Sequence, residues 1–448
     1  MRKHKRLLIS LLLVLALLVT ACGNGNSGSG SSSNAADKQS GNSSGSGEET
    51  ITLRIISVSQ TENPDGPAEL AMAEEYMKQN PNIKIEFIGV PMNDLYKKLT
   101  TLATSNDLPD AFTMTPQFMR TAKDMGMLAN MNELLGEEYL KEFYPNVLEE
   151  ASVDGELQFL PWVATPLALI YRGDWFEEEG LEAPETWDEF LEVARKMTKD
   201  TDGDGQIDRW GYGMVGTRNG SGADRFMAKL RTFGVAEIRE ENGQWVTDLN
   251  TDKAKEAFKF LTDLNNVHGV IPPGVTETGF PEAATLMATG KVAMMITGPN
   301  ALGNIYSQNP DLKGKIYSTP IPKAENHAAT FGLLGYAVSA TSQHKEEVVK
   351  YLKFMVNKEN ALKWNELSGR LPTKIEVGQD QQLTGPDYAG YVKALEYAYL
   401  TPSFSQYSQF QDIVAEAYQL ILTGAATVDE AAENAADRAM KVINMAGN

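Results

Sequence analysis

QFLPWVATPLALIY, residues 158–171, is an apolar passage with proline at positions 161 and 166. Because proline fixes φ and has no amide donor, we predict that this passage is neither one continuous helix nor a central strand. It is typical of a segment through which a chain leaves one lobe and enters a second. Trp162 lies between the prolines, where its ring either faces a cleft or packs in a core.

Length and composition favour two lobes and exclude some partners. The chain has 448 residues, more than one hydrophobic core usually organises. Its hydrophobic and charged fractions, 42% and 22%, are those of a soluble globular protein. The formal net charge of −20 argues against nucleic acid or anionic lipid as a partner.

The N-terminus has the layout of a secretory leader, with a basic start, a short apolar run and small residues before Cys22. VTAC at 19–22 resembles the bacterial lipoprotein signal, in which the cysteine is diacylated and becomes the new N-terminus. Cys22 is also the only cysteine in the chain. We predict a signal peptide over 1–21, lipidation of Cys22 and an extracytoplasmic location at the cell membrane. The alternative is a leader that happens to contain a cysteine of the buried type.

Residues 22–50 are rich in Gly, Ser and Asn. Because such a composition cannot bury enough apolar surface to fold, we predict a flexible tether. A glycine-rich phosphate loop is not indicated, since no strand precedes the segment and no Lys-Ser/Thr pair closes it.

Strand and helix patterns alternate after the tether. Apolar, β-branched runs begin at Ile51, Ile83 and Asp110, with helical patterns between them. The alternation predicts an α/β fold with mostly parallel sheets flanked by helices. Ligands bind beyond the carboxyl ends of the strands in such sheets, which here means residues 59–62 and 115–118.

A capping box predicts a helix over 184–197. Thr186 is the expected N-cap and Glu189 follows three residues later. Trp187 and Phe190 fall on the apolar face of this helix, so we predict that Trp187 packs in a core.

Residues 199–211, KDTDGDGQIDRWG, follow the pattern of a calcium loop, with Gly205 at the sharp turn. Oxygen ligands at alternate positions of a tight turn wrap one Ca²⁺. The predicted ligands of a structural Ca²⁺ are Asp200, Asp202, Asp204, Gln206 and Asp208. Gly211 stands where a full loop has a bidentate carboxylate, so either Asp208 or a distant residue takes that role. The alternative is a solvated acidic turn.

Catalytic patterns are scarce, and we predict that the protein is not an enzyme. None of the histidines has the spacing of a metal site such as HExxH, and no GxSxG nucleophile elbow occurs. With 60 acidic residues, a facing carboxylate pair of the glycosidase type is not excluded by composition.

Aromatic residues fall where a cleft between lobes is expected: Phe118, Trp162, Tyr336, Tyr407 and Phe410. Sugar rings pack their C–H faces on aromatic rings while their hydroxyls bond to polar side chains, so this mixture suits a neutral, polyhydroxylated ligand. The alternative, that such rings are core residues, holds for about half of them.

Five stretches, in this order, resemble family 1 extracellular solute-binding proteins, the carbohydrate-binding lipoproteins of ABC importers. They are residues 161–190, 200–213, 287–305, 332–355 and 369–374. The resemblance implies a two-lobed fold of the periplasmic-binding-protein type (type II), with hinge closure around a ligand. It places the first lobe at 51–161 plus 336–375 and the second at 162–335 plus 376–448. The crossings are then expected near 162–166, 331–335 and 376–382.

The resemblance also implies a set of ligand contacts. Carried over by position, they fall at or near Gln60, Glu62, Gln117, Phe118, Trp162, Thr165, Asn300, Tyr336, Arg370, Tyr407 and Gln411. Many relatives have tryptophan after the Gly298-Pro299 pair, where this chain has Asn300. With that stacking ring lost and an amide gained, the ligand is expected to be smaller, more polar or differently placed than a maltodextrin.

The sequence as a whole predicts a lipid-anchored, monomeric binding protein that captures a sugar or oligosaccharide and delivers it to the permease of an ABC importer. The alternatives are a surface-anchored carbohydrate hydrolase and an adhesion or signalling module on the same fold. Alanine at Trp162 is expected to weaken ligand binding while leaving stability nearly unchanged.

Overall fold

The computed structural model describes residues 50–63, 65–404 and 406–446, apart from the side chain of Asn93. The predicted signal peptide, the lipidated Cys22 and almost all of the tether lie outside the described residues. Within the described part, no helix is both long and apolar enough to cross a membrane.

Strands and helices are numbered separately in chain order. The strands are β1 (Ile51–Ser57), β2 (Ile83–Gly89), β3 (Ala111–Met114), β4 (Ser152–Val153), β5 (Glu156–Leu157), β6 (Leu160–Ala164), β7 (Ala168–Arg172), β8 (Trp210–Tyr212), β9 (Arg239–Glu241), β10 (Gln244–Val246), β11 (Val292–Thr297), β12 (Ile316–Thr319), β13 (Leu334–Val338) and β14 (Leu371–Pro372). The helices are α1 (Asp65–Gln79), α2 (Met92–Thr104), α3 (Pro116–Asp124), α4 (Met131–Leu135), α5 (Glu137–Leu140), α6 (Pro145–Glu150), α7 (Gly173–Glu179), α8 (Trp187–Met197), α9 (Gly220–Thr232), α10 (Asp252–Asn266), α11 (Phe280–Ala288), α12 (Asn300–Gln308), α13 (Lys345–Met355), α14 (Lys358–Ser368), α15 (Ile375–Gly378), α16 (Ala389–Ala394), α17 (Tyr407–Leu422) and α18 (Val428–Ala446).

Two larger sheets organise these elements. The first sheet has the strand order β14-β6-β13-β3-β1-β2, and the second has the order β12-β7-β11-β8. In the first, β1 is parallel to β2 and β3, whereas the β13–β3, β13–β6 and β14–β6 pairs are antiparallel. In the second, β7 is antiparallel to β11 and β12, and only β11 and β8 run parallel.

The sheets are therefore mixed, and the prediction of mostly parallel strands is wrong. That prediction came from the regular alternation of strands and helices over the first part of the chain, where β1, β2 and β3 are parallel as expected. The antiparallel strands enter from distant parts of the chain. β13 and β14 follow all strands of the second sheet in the chain. In the first sheet, β13 pairs with β3 and β6, and β14 pairs with β6.

The opening passage is split between the two sheets. Residues 160–164 form β6 in the first sheet, residues 168–172 form β7 in the second, and residues 165–167 link them. It is thus a crossing and not a continuous helix, as predicted. Thr165 ties this crossing to a later one, because its amide donates to the carbonyl of Phe331 and its hydroxyl to that of Gly332.

The prediction that the prolines exclude an inner strand is wrong, because β6 lies between β14 and β13 with Pro161 inside it. Two local features accommodate the missing amide donor. β14 pairs only with residues 163–164, and the register of β13 shifts between Leu334 and Gly335, opposite the proline. A Cβ at Gly335 would lie 2.1 Å from the carbonyl oxygen of Leu160, so only glycine permits this close approach.

Hydrophobic cores lie on both faces of the second sheet. Along β7, Ile170 belongs to the core that also fills the first sheet, while Leu169 belongs to a core with α8, α9, α10 and α17. Burial on both faces explains the continuous apolar sequence of β7 and β11. The predicted capping box of α8 is confirmed, as is the packing of Trp187, which is buried in the second of these cores.

Candidate ligand-binding site

A cavity of about 710 Å³ lies between the segment that follows β1 and the helices on either side of β11. Its lining comes from the segment after β1, from α11 and α12, and from the end of α14. The lining residues are Glu62, Asn63, Asp65, Phe280, Asn300, Gly303, Asn304, Ser307, Leu367, Ser368 and Arg370. Three residues predicted as ligand contacts, Glu62, Asn300 and Arg370, are thus brought together here.

One wall of the cavity is charged. Arg370 Nη2 lies 3.0 Å from Glu62 Oε2 and 2.7 Å from Asp65 Oδ2. Burial raises the pKa of both carboxyl groups, although the guanidinium acts in the opposite direction. Only 5% of the Asp65 side chain is exposed, against 41% of Glu62. A single cation therefore compensates two carboxylates that burial has partly removed from water.

The opposite wall is polar but uncharged. Asn300 begins α12 directly after the turn that ends β11, and Asn304 lies one helical turn later. Gly369, at the end of α14, touches this turn. It has a φ of 74°, and a Cβ there would lie 2.7 Å from the carbonyl oxygen of Pro299. The glycine thus allows the segment that carries Arg370 to approach the asparagines closely.

A buried carboxyl group connects Gln60 with the first core. Glu69, on α1, accepts hydrogen bonds from Ser57 Oγ at 2.6 Å and from Gln60 Nε2 at 2.7 Å. The Tyr336 hydroxyl donates to the same carboxyl group. Burial raises the pKa of Glu69, and the hydrogen-bond donors around its carboxyl group are the neutral side chains of Ser57, Tyr336 and Gln60. This network fixes Gln60 and Tyr336, two predicted contacts, in one orientation.

Trp162 lies in the first core with 3% of its surface exposed. Its ring centroid is 4.3 Å from that of Trp364 and 5.6 Å from that of Tyr336, which is also buried. The indole N–H groups of both tryptophans have no hydrogen-bond partner among the described atoms. Contact of Trp162 or Tyr336 with a ligand stays a prediction.

A second polar group lies near the carboxyl end of β3. Phe118 is buried and stacks on Tyr96, with 4.6 Å between the ring centroids. Gln411 Nε2 donates to Asp224 Oδ1 at 2.6 Å, and burial raises the pKa of Asp224 to about 6. The charge of Asp224 in turn raises the pKa of Tyr96, after the larger effect of burial. Tyr96 and Asp224 are therefore close enough to interact electrostatically.

The remaining predicted contacts are placed in different ways. Gln117 is half-buried beside Phe118, at the start of α3. Tyr407 and Phe410 are buried in the second core, where the Tyr407 hydroxyl donates to Glu237 Oε1 at 2.8 Å. Thr165 is bonded to the neighbouring crossing. None of these side chains lines the cavity beside Arg370.

The acidic loop adopts the expected tight turn. Gly205 has a φ of 88°, and ligand oxygens of Asp200, Asp202 and Asp204 all lie within 4.8 Å of one another. Backbone amides of Gly205 and Gly203 donate to Asp200 and lower its pKa.

The other two predicted calcium ligands make different contacts. Both carboxyl oxygens of Asp208 accept from Thr201, and the backbone amide of Gln206 donates to Asp204 Oδ1. Three carboxylates thus converge as a calcium site requires. Asp208 would have to leave Thr201 to act as a fourth ligand.

Sequence reasoning missed several residues of the cavity: Asn63, Asp65, Phe280, Asn304 and Ser307. The first two stand in the polar segment that follows β1, and α1 begins at Asp65. Asn304 and Ser307 lie on the same face of α12 as Asn300, one and two helical turns after it. Helical spacing from Asn300 is the one signal that points to them.

Comparisons with known proteins identify the family to which this chain is similar. A family model described as bacterial extracellular solute-binding protein matches residues 60–362. A Brucella abortus protein is 26% identical over 391 residues, which cover 87% of this chain and 92% of that one. The maltotriose-binding protein of Pyrococcus abyssi is 25% identical over 74% of this chain and 69% of its own length.

A solved structure has the same fold. It is an ABC transporter solute-binding protein of Thermotoga lettingae bound with alpha-D-tagatose, and its TM-score is 0.73 at 25% identity. The match covers 88% of this chain and all of the other. The likeness confirms the predicted two-lobed α/β architecture.

Proposed function

The chain belongs to the bacterial extracellular solute-binding proteins, and on this premise we propose that it captures a sugar or short oligosaccharide between its two lobes for an ABC importer. Membership confirms the resemblance predicted from the sequence. It also agrees with a non-enzymatic role and with a location outside the cytoplasm, both of which were predicted.

The observation that carries the proposal is the cavity between the segment that follows β1 and the helices on either side of β11. Its volume of about 710 Å³ lies in the range of small-molecule sites. Carboxylates and a guanidinium on one wall and amides on the other offer both acceptors and donors, which is what a ring of hydroxyl groups requires. Phe280 supplies an aromatic surface at the edge.

Related proteins support a sugar as the solute. The Pyrococcus abyssi relative is named for maltotriose, and the Thermotoga lettingae structure holds alpha-D-tagatose. The arrangement of the acidic residues does not favour hydrolysis. Glycosidases place two carboxyl groups on opposite sides of a bond, whereas Glu62 and Asp65 share one guanidinium and lie together.

A thermal-shift screen of the purified protein against a panel of carbohydrates tests this proposal. A ligand that binds only the folded state raises the melting temperature by mass action, so at least one sugar is expected to do so in a concentration-dependent way. If the folded protein responds to no carbohydrate but responds to a solute of another class, sugar capture is refuted.

We also propose that Cys22 carries the lipid anchor and that residues 22–50 act as the tether of a monomeric binding protein. The lone cysteine behind a leader and the Gly/Ser/Asn-rich composition support this. In a cell fractionation experiment, the wild type is expected in the membrane fraction. Cys22→Ser should move the protein to the medium or periplasm, and an unchanged distribution would count against the anchor.

A structural Ca²⁺ in the acidic loop is the third part of the proposal. The convergence of Asp200, Asp202 and Asp204 supports it, with Gln206 and Asp208 as the further ligands. Calorimetry is expected to show one Ca²⁺ per chain, and a chelator should lower the melting temperature. Asp202→Asn should weaken the binding of Ca²⁺. If calorimetry detects no Ca²⁺ binding to the wild type, the site is ruled out.

A further inference from the structure

The charges around the cavity do not balance. Among the described residues that line it, the charged side chains are Glu62, Asp65 and Arg370. The remaining lining side chains are amides, hydroxyls and apolar groups. With both acids ionised, the wall carries one net negative charge, and burial already makes this charge unfavourable, as the raised pKa of each carboxyl group indicates.

Arg370 is shared between the two carboxyl groups. It donates a hydrogen bond to Glu62 Oε2, and its Nη2 lies 2.7 Å from Asp65 Oδ2. Asp65 Oδ2 has almost no accessible surface, and only 5% of the Asp65 side chain is exposed, whereas 41% of the Glu62 side chain is exposed. Glu62 is thus the carboxylate of this wall that a ligand can reach, and Asp65 adds a buried negative charge beside the shared guanidinium.

A second arginine does not change this balance. The guanidinium of Arg225 lies over the Phe280 ring, 5.3 Å from its centroid. Its N–H groups donate to Ser221 and Thr297, and the negative charge of neighbouring Asp224 compensates the positive charge of Arg225. Arg225 is therefore already occupied, and the excess charge of the cavity stays negative.

We propose that the cavity selects an aminated sugar, whose protonated amine binds the Glu62 carboxylate beside the buried charge of Asp65. This inference rests on the proposed capture of a sugar at the same site. A cationic amine supplies the missing positive charge and donates a hydrogen bond to the accessible carboxylate of Glu62. The hydroxyls of the same ring bind Asn300 and Asn304 on the opposite wall. Asn300 stands where many relatives carry a stacking ring, so polar recognition takes the place of stacking.

Matched sugars that differ at one position test the proposal. The pairs are glucose and glucosamine, galactose and galactosamine, and cellobiose and the β-1,4-linked glucosamine disaccharide, each with its N-acetylated form. Dissociation constants are measured by calorimetry at neutral pH and low salt. The aminated member is expected to bind about tenfold more tightly than the hydroxyl member, the effect of one partly buried ion pair. Added salt should reduce this preference.

Two variants locate the effect. Glu62→Gln is expected to abolish the preference for the amine, so that the aminated and hydroxyl members of each pair bind with similar affinity. Glu256→Gln, which removes the same charge from an exposed position of α10, should keep the preference. Melting temperatures of the free variants show that both are folded.

The outcomes separate this inference from the function on which it rests. If a hydroxyl or N-acetylated sugar binds as tightly as its amine, or if Glu62→Gln keeps the preference, selection for an amine is refuted while sugar capture stands. If no sugar in any form binds the folded protein, sugar capture itself fails and the inference fails with it.

Discussion

At the scale of single residues, burial decides what a side chain can do. Trp162 was expected to face a ligand, for which alanine would reduce affinity and leave stability nearly unchanged. In the structure its ring packs on Trp364 and Tyr336 with 3% exposure. We therefore expect Trp162→Ala to cost about 3–5 kcal/mol of unfolding free energy, measured by chemical denaturation.

A smaller change at the same position provides the control. Trp162→Phe keeps an aromatic ring and should lose much less stability than the alanine variant. If Trp162→Ala is nearly as stable as the wild type and binds sugar more weakly, the ring contacts solute after all.

Glu150 gives the protein a predictable dependence on pH. It lies at the end of α6 and accepts hydrogen bonds from the amide and hydroxyl of Thr401 at 2.9 and 2.7 Å. Burial raises its pKa from 4.5 to about 7. The folded state thus holds the Glu150 proton more tightly than the unfolded state does. The contribution of protonated Glu150 to the free energy of unfolding is present at low pH and is lost as pH rises from about 4.5 to about 7.

Glu150→Gln should remove this dependence, because an amide keeps the acceptor oxygen and never ionises. Denaturation at pH values below and above that interval is expected to show the variant gaining on the wild type as pH rises. The difference is on the order of 3 kcal/mol. Equal slopes for both proteins would show that Glu150 does not titrate in this range.

At the scale of elements, the end of α14 determines how closely the two walls of the cavity approach. Gly369→Ala must accept a positive φ and also places a Cβ 2.7 Å from the Pro299 carbonyl oxygen. Gly424→Ala is the matched control, because Gly424 has a φ of 70° and nothing within 4 Å of an added Cβ. Both should lose about 1 kcal/mol from backbone strain, and Gly369→Ala about 1–2 kcal/mol more from the clash.

The same pair of variants should differ in ligand binding. Gly369→Ala is expected to weaken sugar binding severalfold, since Arg370 moves with the displaced segment, whereas Gly424→Ala binds as the wild type does. Indistinguishable affinities in calorimetry would mean that this contact does not shape the site.

Elements with local signals were predictable from the sequence, and elements made by long-range contacts were not. The capping box of α8 and its apolar face with Trp187 and Phe190 depend on neighbours within a turn or two, and the structure confirms them. The place of Pro161 inside β6 depends on a register shift in β13, more than 170 positions later in the chain by numbering. No local sequence pattern predicts that a distant strand will make room for a proline in this way.

The same reasoning applies to the site. Glu62, Asn300 and Arg370 were predicted by resemblance and do line one cavity. Asp65 and Asn304 were missed, because long-range packing and not a motif brings the start of α1 and the helix α12 to one cavity. The aromatic rings were predicted as a group, yet the residue types that stack on sugars also fill cores.

At the scale of the whole molecule, the two sheets and the crossings between them produce a cleft, and the central claim is that a sugar binds in the cavity there. Gly303 provides a direct way to block it. This residue lines the cavity on α12, and an added Cβ meets nothing within 4 Å. A bulky side chain at this position fills the site without disturbing the packing around its own backbone.

The measurement that tests this claim most directly is a calorimetric titration of the wild type and Gly303→Trp with the sugar that gives the largest thermal shift. The account predicts one sugar bound per wild-type chain and no detectable binding to Gly303→Trp, while the free variant melts as the wild type does. Equal affinity of the two folded proteins would place the sugar elsewhere and contradict the account.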